Sequence, residues 1–86
     1  MDTLERVKRI VAEELGIEWE SINPNDDIED ELGADSLHMA NIVMAAEDAF
    51  GVSVPDEEAV GLRTAAQIAG YVDAKIAKMP SLAAPR

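Results

Sequence analysis

The chain has 86 residues, of which 48% are hydrophobic, but only Trp19, Phe50 and Tyr71 are aromatic. One small domain with an aliphatic core is therefore expected, and helices are favoured over a β-sandwich. The formal net charge of −11 repels phosphate backbones and anionic lipid headgroups, so we expect neither nucleic acid nor a membrane as a partner. Because the sequence has no cysteine and one histidine, it offers no disulfide, no thiolate nucleophile and no ordinary zinc or iron site.

The charges are unevenly distributed along the chain. Fifteen of the eighteen acidic residues, and none of the seven basic residues, lie between residues 10 and 62. This asymmetry predicts that the acidic middle meets a basic protein surface, while the alternative is that the acids only solvate a small protein. The N-terminal residues have no signal-peptide pattern, and no apolar stretch approaches ~18 residues, so we expect a cytoplasmic location.

The first predicted element is a helix over residues 3–15. Its apolar residues recur at the spacing of one helical face. They are Leu4, Val7, Ile10, Val11 and Leu15. Gly16 follows the last of them, as expected of a residue that ends a helix.

Residues 16–35 form the second segment, which contains Pro24, two asparagines, two glycines and a cluster of acids without sustained periodicity. We predict a long loop, of a length that normally signals either function or disorder. Ile22, Ile28 and Leu32 are spaced so that they can attach this loop to a core.

The second main helix is predicted over residues 36–50. Its buried face has apolar residues three or four positions apart. They are Met39, Ile42, Val43, Ala46 and Phe50. Gly51 and Pro55 close this helix, and the acids after Pro55 indicate the first turn of a short helix that ends near Gly61.

A capping-box pattern, Thr-Ala-Ala-Gln at residues 64–67, starts the last predicted helix, which extends to about residue 77. Its apolar face consists of Ala65, Ile68, Ala69, Val72 and Ile76. Residues 78–86 contain two prolines and no periodicity, so we predict a flexible tail after a domain of residues 1–77. The predicted fold is all-α, a small antiparallel four-helix bundle with three main helices, one short helix and a long first loop.

The sharpest functional signal is Gly-Ala-Asp-Ser-Leu at residues 33–37, which places Ser36 where the acidic loop meets the second helix. A hydrolase nucleophile is not expected, because the only histidine, His38, points about 200° away around the helix. A nucleophile elbow would need glycines where Ala34 and His38 stand. We therefore predict no catalytic residue, and a serine that receives a group from another protein remains.

The acidic loop before Ser36 does not have the residues of a dedicated ion site. It is repulsive and poor in glycine, which is unsuited to a phosphate cradle. A calcium loop starting at residue 23 would need Gly and Glu where Ile28 and Ala34 stand. We predict no dedicated metal site.

Several further motifs accompany Ser36 at fixed spacing. They are Leu32-Gly-Ala-Asp-Ser-Leu37, Ile42-Val-Met44, Glu47, Phe50-Gly51, Val54-Pro-Asp-Glu-Glu-Ala59 and Thr64. Over roughly residues 3–77, the chain with these motifs resembles the acyl carrier proteins of the bacterial, dissociated type.

The resemblance implies that Ser36 is esterified with 4′-phosphopantetheine, which a phosphopantetheinyl transferase takes from coenzyme A. The arm would carry acyl groups as thioesters between enzymes of fatty-acid, specialised lipid or polyketide biosynthesis, and the chain itself would not be an enzyme. Asp35 resembles the family residue that engages the transferase and its magnesium, and its alternative role is to cap the helix. Two alternatives stay open, namely an aminoacyl or peptidyl carrier and an unmodified acidic helical adaptor.

One exposed strip of the second helix begins beside Ser36. An α-helix rotates by about 100° per residue, and on this projection six residues fall on the strip. These residues, called the partner face below, are Leu37, Ala40, Asn41, Met44, Glu47 and Asp48. We predict that a monomer presents this face to the transferase and to acyl-transferring and acyl-modifying enzymes with basic surface patches. The alternative is that exposed Leu and Met side chains are ordinary surface residues.

The second helix departs from the pattern of fatty-acid carriers at four positions. Those proteins usually have acids where this chain has His38 and Asn41, and larger apolar residues where it has Ala40 and Ala46. The space left at Ala46 suggests an enlarged acyl pocket as one hypothesis, with filling by a neighbouring side chain as the other. General fatty-acid synthesis and a specialised pathway are therefore both open.

Overall fold

The computed structural model describes residues 2–78, which fold into four α-helices. They are α1 (Thr3–Leu15), α2 (Ser36–Phe50), the short α3 (Asp56–Ala59) and α4 (Ala65–Lys78), with one 3-10 turn at Trp19–Ser21. Within residues 2–78 there is no strand, and no helix is long and apolar enough to cross a bilayer. The predicted all-α fold with three main helices, one short helix and a long first loop is confirmed.

The ends of α1 lie where predicted because local cap chemistry fixes them. At the start, a carboxylate oxygen of Asp2 accepts a hydrogen bond of 2.7 Å from the backbone N–H of Glu5. At the end, Gly16 has a φ of 72°, a left-handed conformation that glycine adopts without strain. Its N–H donates to the carbonyl of Ala12, which satisfies one of the free carbonyls of the last turn.

The capping box predicted at the start of α4 is also confirmed. The Thr64 hydroxyl accepts from the N–H of Gln67 at 3.0 Å, and the Gln67 side chain accepts from the N–H of Thr64 at 3.1 Å. The helix ends at Lys78, which the prediction assigned to the tail. The rest of the predicted tail lies outside the described residues, so the boundary of the domain stays a prediction.

The core forms where α1 packs against both α2 and α4. Its most deeply buried members on the helices are Val7, Val11, Ile42, Ile68 and Val72. The apolar faces predicted for the three main helices therefore meet, and partly buried side chains such as Leu4 and Leu15 pack around them. Ile76 is the exception at 44% exposed, because α4 continues one turn beyond Val72, its last buried residue.

The long first loop is attached to the bundle as predicted. Ile22 and Ile28 are buried in the core and Leu32 is half-buried against it. Two backbone hydrogen bonds also join the loop to the start of α4, from the Ile28 N–H to the Arg63 carbonyl at 2.8 Å and from the Ala66 N–H to the Pro24 carbonyl at 2.9 Å. The loop is thus held in one path, which ends at the first residue of α2.

Candidate functional site

Ser36 is the first residue of α2 and is exposed. The chain reaches it by a turn at Gly33, whose φ of 84° lies in the left-handed region that glycine favours. Ala34 is buried and its N–H donates to the Ile28 carbonyl at 3.1 Å. The residues before Ser36 are therefore anchored, and the serine is presented to solvent from a fixed position.

Asp35 and His38 form a reciprocal capping box around Ser36. A carboxylate oxygen of Asp35 accepts from the backbone N–H of His38 at 2.9 Å, and Nδ1 of His38 accepts from the N–H of Asp35 at 3.1 Å. The hydrogen bond from the His38 backbone N–H holds the pKa of Asp35 below its usual value. The predicted cap role of Asp35 is thus confirmed, and the carboxylate beside Ser36 is kept charged.

Sequence reasoning missed the part that His38 plays in this box. The usual partner at the third helical position is Glu or Gln, whose side chain reaches back to the N-cap N–H. An imidazole nitrogen accepts the same hydrogen bond here. The three-residue spacing between Asp35 and His38 is the signal that could have found it.

Four members of the partner face are exposed as predicted. Leu37 is 68% and Met44 is 59% exposed, and Ala40 and Asp48 are also exposed. These side chains extend along the outer surface of α2 from the residue after Ser36. They combine two sizeable apolar groups with one carboxylate, a mixture suited to contact with another protein.

The other two members of the partner face are half-buried and bonded within the chain. Nδ2 of Asn41 donates to a carboxylate oxygen of Glu14 on α1 at 2.9 Å. A carboxylate oxygen of Glu47 accepts from the backbone N–H of Val54 at 2.8 Å. The helical projection missed these contacts because it ignores the neighbouring segments that cover the edges of the strip.

An apolar cavity of about 610 Å³ lies between α2 and the segment that contains α3. Its α2 wall extends from Ser36 to Glu47, about 16 Å at the rise of an α-helix. The apolar residues that line it are Met39, Ala40, Val43, Met44, Val54, Ala59, Val60 and Leu62. Glu29, Asp56 and Arg63 complete the lining. Ser36 thus lies at a cavity whose volume is in the range found for small-molecule binding sites.

No pattern of residues indicates this cavity directly, since a void depends on how far apart two segments lie. Ala46 is buried but does not line it, so the structure gives no support to the hypothesis that Ala46 enlarges an acyl pocket. Val60, which sequence reasoning also passed over, lines the cavity while being 77% exposed. It adds an apolar group to the surface near α3.

The chain is similar to known proteins over most of its length. The family model for a phosphopantetheine attachment site matches residues 5–72. An acyl carrier protein of Zymomonas mobilis is 43% identical over 72 residues, which are 84% of this chain and 92% of that protein. The solved structure of the acyl carrier protein from Enterococcus faecalis superposes with a TM-score of 0.73 at 28% identity, covering 87% of this chain and 99% of that one.

Proposed function

Because the chain belongs to the acyl carrier proteins that have a phosphopantetheine attachment site, we propose that Ser36 is the residue to which the arm is attached. Members of this family are carriers and not enzymes, and their prosthetic group is 4′-phosphopantetheine. When bound, the arm supplies the thiol that holds acyl groups as thioesters. The chain itself has no such thiol because it contains no cysteine. The carrier role in fatty-acid synthesis is the one that the comparisons support.

The observation that carries the assignment is the position of Ser36 relative to the other serines in the matched region. Ser21 donates its hydroxyl hydrogen bond to the carbonyl of Glu18 at 2.7 Å, and Ser53 lies in the connection between α2 and α3. Only Ser36 among these three begins a helix and lines the cavity. An arm attached there can reach both solvent and the apolar interior.

The cavity favours an apolar acyl chain as the cargo. Met39, Val43 and Leu62 offer apolar surface beside Ser36. Each methylene that leaves water for such surroundings contributes about 0.8 kcal/mol. A chain folded back from the arm would therefore be stabilised inside the protein and kept away from water.

Asp35 and the partner face are the proposed contacts for other proteins. The charged carboxylate of Asp35 stands next to the serine, where a transferase and its magnesium would engage. The exposed carboxylate of Asp48 would contact basic patches on the transferase and the acyl-modifying enzymes, and the exposed Leu37 and Met44 side chains would contact apolar groups beside those patches. We further propose a monomer in the cytoplasm that binds neither nucleic acid nor membranes, consistent with its net charge of −11.

Intact mass measurement tests the attachment site. After incubation with a phosphopantetheinyl transferase and coenzyme A, the protein should gain the mass of one arm. Ser36→Ala should lose this gain, while the control variants Ser21→Ala and Ser53→Ala should keep it. Helical circular dichroism should be unchanged in all three variants. If the unsubstituted protein gained no mass with any transferase, the unmodified adaptor would become the better interpretation.

A further inference from the structure

Among residues 2–78, Arg63 is the only basic residue that lines the cavity, and three carboxylates of the first loop surround it. Its Nε and Nη2 donate to the two carboxylate oxygens of Asp27 at 2.6 and 3.1 Å. Its guanidinium also lies 3.4 Å from a carboxylate oxygen of Glu29 and 3.7 Å from one of Asp30. We call these four residues the clasp.

Asp27 is held on both sides, which gives the clasp a fixed geometry. Besides the two-pronged bond from Arg63, it accepts backbone N–H bonds from Glu29 and Asp30 at 3.0 and 2.8 Å. The Arg63 hydrogen bond is the main reason that the pKa of Asp27 is lowered, which favours the charged carboxylate. A single exposed ion pair would contribute little, but Asp27 accepts four hydrogen bonds in all, two from Arg63 and two from the backbone.

The clasp lies on the side of the cavity where α2 begins. Ile28, inside the clasp segment, accepts a hydrogen bond from the N–H of Ala34, two residues before Ser36. On its other side, Ile28 donates to the carbonyl of Arg63. Glu29 and Arg63 both line the cavity together with Ser36. The loop, the start of α4 and the residues before Ser36 are thus connected at one place.

We propose that Arg63 is a positioning residue for cargo retention, which fixes the Glu29 wall of the cavity and so slows the exit of an acyl chain held there. This inference rests on the proposed function. Separation of the loop from the start of α4 would widen the cavity beside Ser36, for exit of the cargo or for entry of a nucleophile to its thioester. Such a separation must break the Asp27–Arg63 bonds. Arg63 therefore acts through Glu29 and Asp27 and does not itself react.

Thioester cleavage by hydroxylamine, followed by mass spectrometry, tests the proposal. The protein and its variants are loaded by a transferase from coenzyme A that bears either a medium-length saturated acyl group or an acetyl group. With the longer cargo, Arg63→Gln should be cleaved several-fold faster than the unsubstituted protein. Arg63→Lys should restore slow cleavage in part, because lysine keeps the charge but not the two-pronged bond. With acetyl, which is too short to fill the cavity, all variants should be cleaved at one rate.

Two further variants keep the test independent of overall stability. Arg9→Gln removes the Arg9–Glu5 ion pair on α1, which does not line the cavity, and should be cleaved at the unsubstituted rate. Asp27→Asn weakens the clasp from its other side and should be cleaved faster, which also serves if Arg63→Gln does not fold.

The possible failures are distinguishable. Equal cleavage rates for the longer cargo in Arg63→Gln, Asp27→Asn and the unsubstituted protein would overturn the proposed role of Arg63. The proposed function would stand in that case, because all three proteins would have been loaded. An equal acceleration with the acetyl cargo would also overturn the role of Arg63, since a retained chain would then not be the cause. A protein that cannot be loaded at all, or that is still loaded in Ser36→Ala, would instead overturn the proposed function.

Discussion

The two sides of α2 differ in how they are held. On the inner side, Ile42 is fully buried and Ala46 nearly so, where the helix packs against α1. On the outer side, Ala40 and Met44 line a cavity of about 610 Å³ and are exposed. The same helix is therefore part of a close-packed core on one side and the wall of an open cavity on the other.

The outer side is attached to its neighbours by both buried side chains and polar links. The segment that faces it contains α3, which is only four residues long, and it contributes the buried side chains of Val54 and Leu62. In addition, Glu47 accepts from the Val54 N–H, the hydroxyl of Tyr71 donates to Glu58, and the clasp joins the first loop to the start of α4. Apolar burial therefore contributes on both sides of α2, and individual polar bonds surround the cavity on the outer side.

The largest expected effect distinguishes the two sides by substitutions at two residues of α2 that lie two positions apart. Ile42→Ala should lower the free energy of unfolding by about 2–5 kcal/mol, because it leaves a void in the packed inner side. Met44→Ala, on the outer side, should change it by no more than about 0.5 kcal/mol. Urea unfolding of both variants at neutral pH measures the difference. Similar losses from the two would contradict the comparison.

A smaller effect is expected at the polar link between α2 and the segment before α3. Glu47→Ala should cost about 1–3 kcal/mol, because it removes a charged acceptor and leaves the Val54 N–H unpaired. The matched variant Asp48→Ala should be nearly neutral, since Asp48 is exposed. Urea unfolding again gives the values, and an equal cost for both would mean that the Glu47 bond contributes no stability.

The partner face should be tested at Asp48 alone, because Glu47 also has a structural role. A charge reversal at both Glu47 and Asp48 would mix loss of docking with loss of the Val54 bond. Asp48→Lys alone should slow acyl transfer to partner enzymes and leave the free energy of unfolding unchanged. The control is Glu13→Lys, which makes the same charge change at an exposed position of α1. If Asp48→Lys and Glu13→Lys slowed transfer equally, net charge and not the partner face would be responsible.

The smallest effect concerns the link between α3 and α4, and it depends on pH. The hydrogen bond to Glu58 raises the pKa of Tyr71 to about 12, against 10.0 for the free side chain. Because the folded pKa is the higher one, the stabilising effect is complete below pH 10 and is lost as the pH rises to about 12. The difference in unfolding free energy between the unsubstituted protein and Tyr71→Phe should disappear over that interval.

Ultraviolet absorbance provides the independent check on this link. Tyr71 is the sole tyrosine, so its titration is read without overlap from another. Its midpoint should fall near 12 in the folded protein, and Glu58→Gln should move it toward 10. A midpoint near 10 in the unsubstituted protein would show that the bond to Glu58 does not persist in solution.

The helices and the position of Ser36 at the start of α2 were predictable because their determinants are local. Gly16 and Gly51 end α1 and α2 through positive φ angles, and Thr64 begins α4 by bonding a residue three positions away. The motif around Ser36 lies within five consecutive residues. Such patterns depend on near neighbours in the chain, so the order of residues is enough to specify them.

Tertiary structure decided the cavity and the clasp. It also decided that Asn41 and Glu47 of the partner face are half-buried and bonded within the chain. Arg63 meets Asp27 across 36 positions, and Asn41 meets Glu14 across 27. Neither pair has a spacing that periodicity can detect, because each depends on how the first loop and α1 pack against the later helices. The sequence by itself therefore determined which helices form and where the serine stands, whereas packing between distant segments determined the space beside that serine.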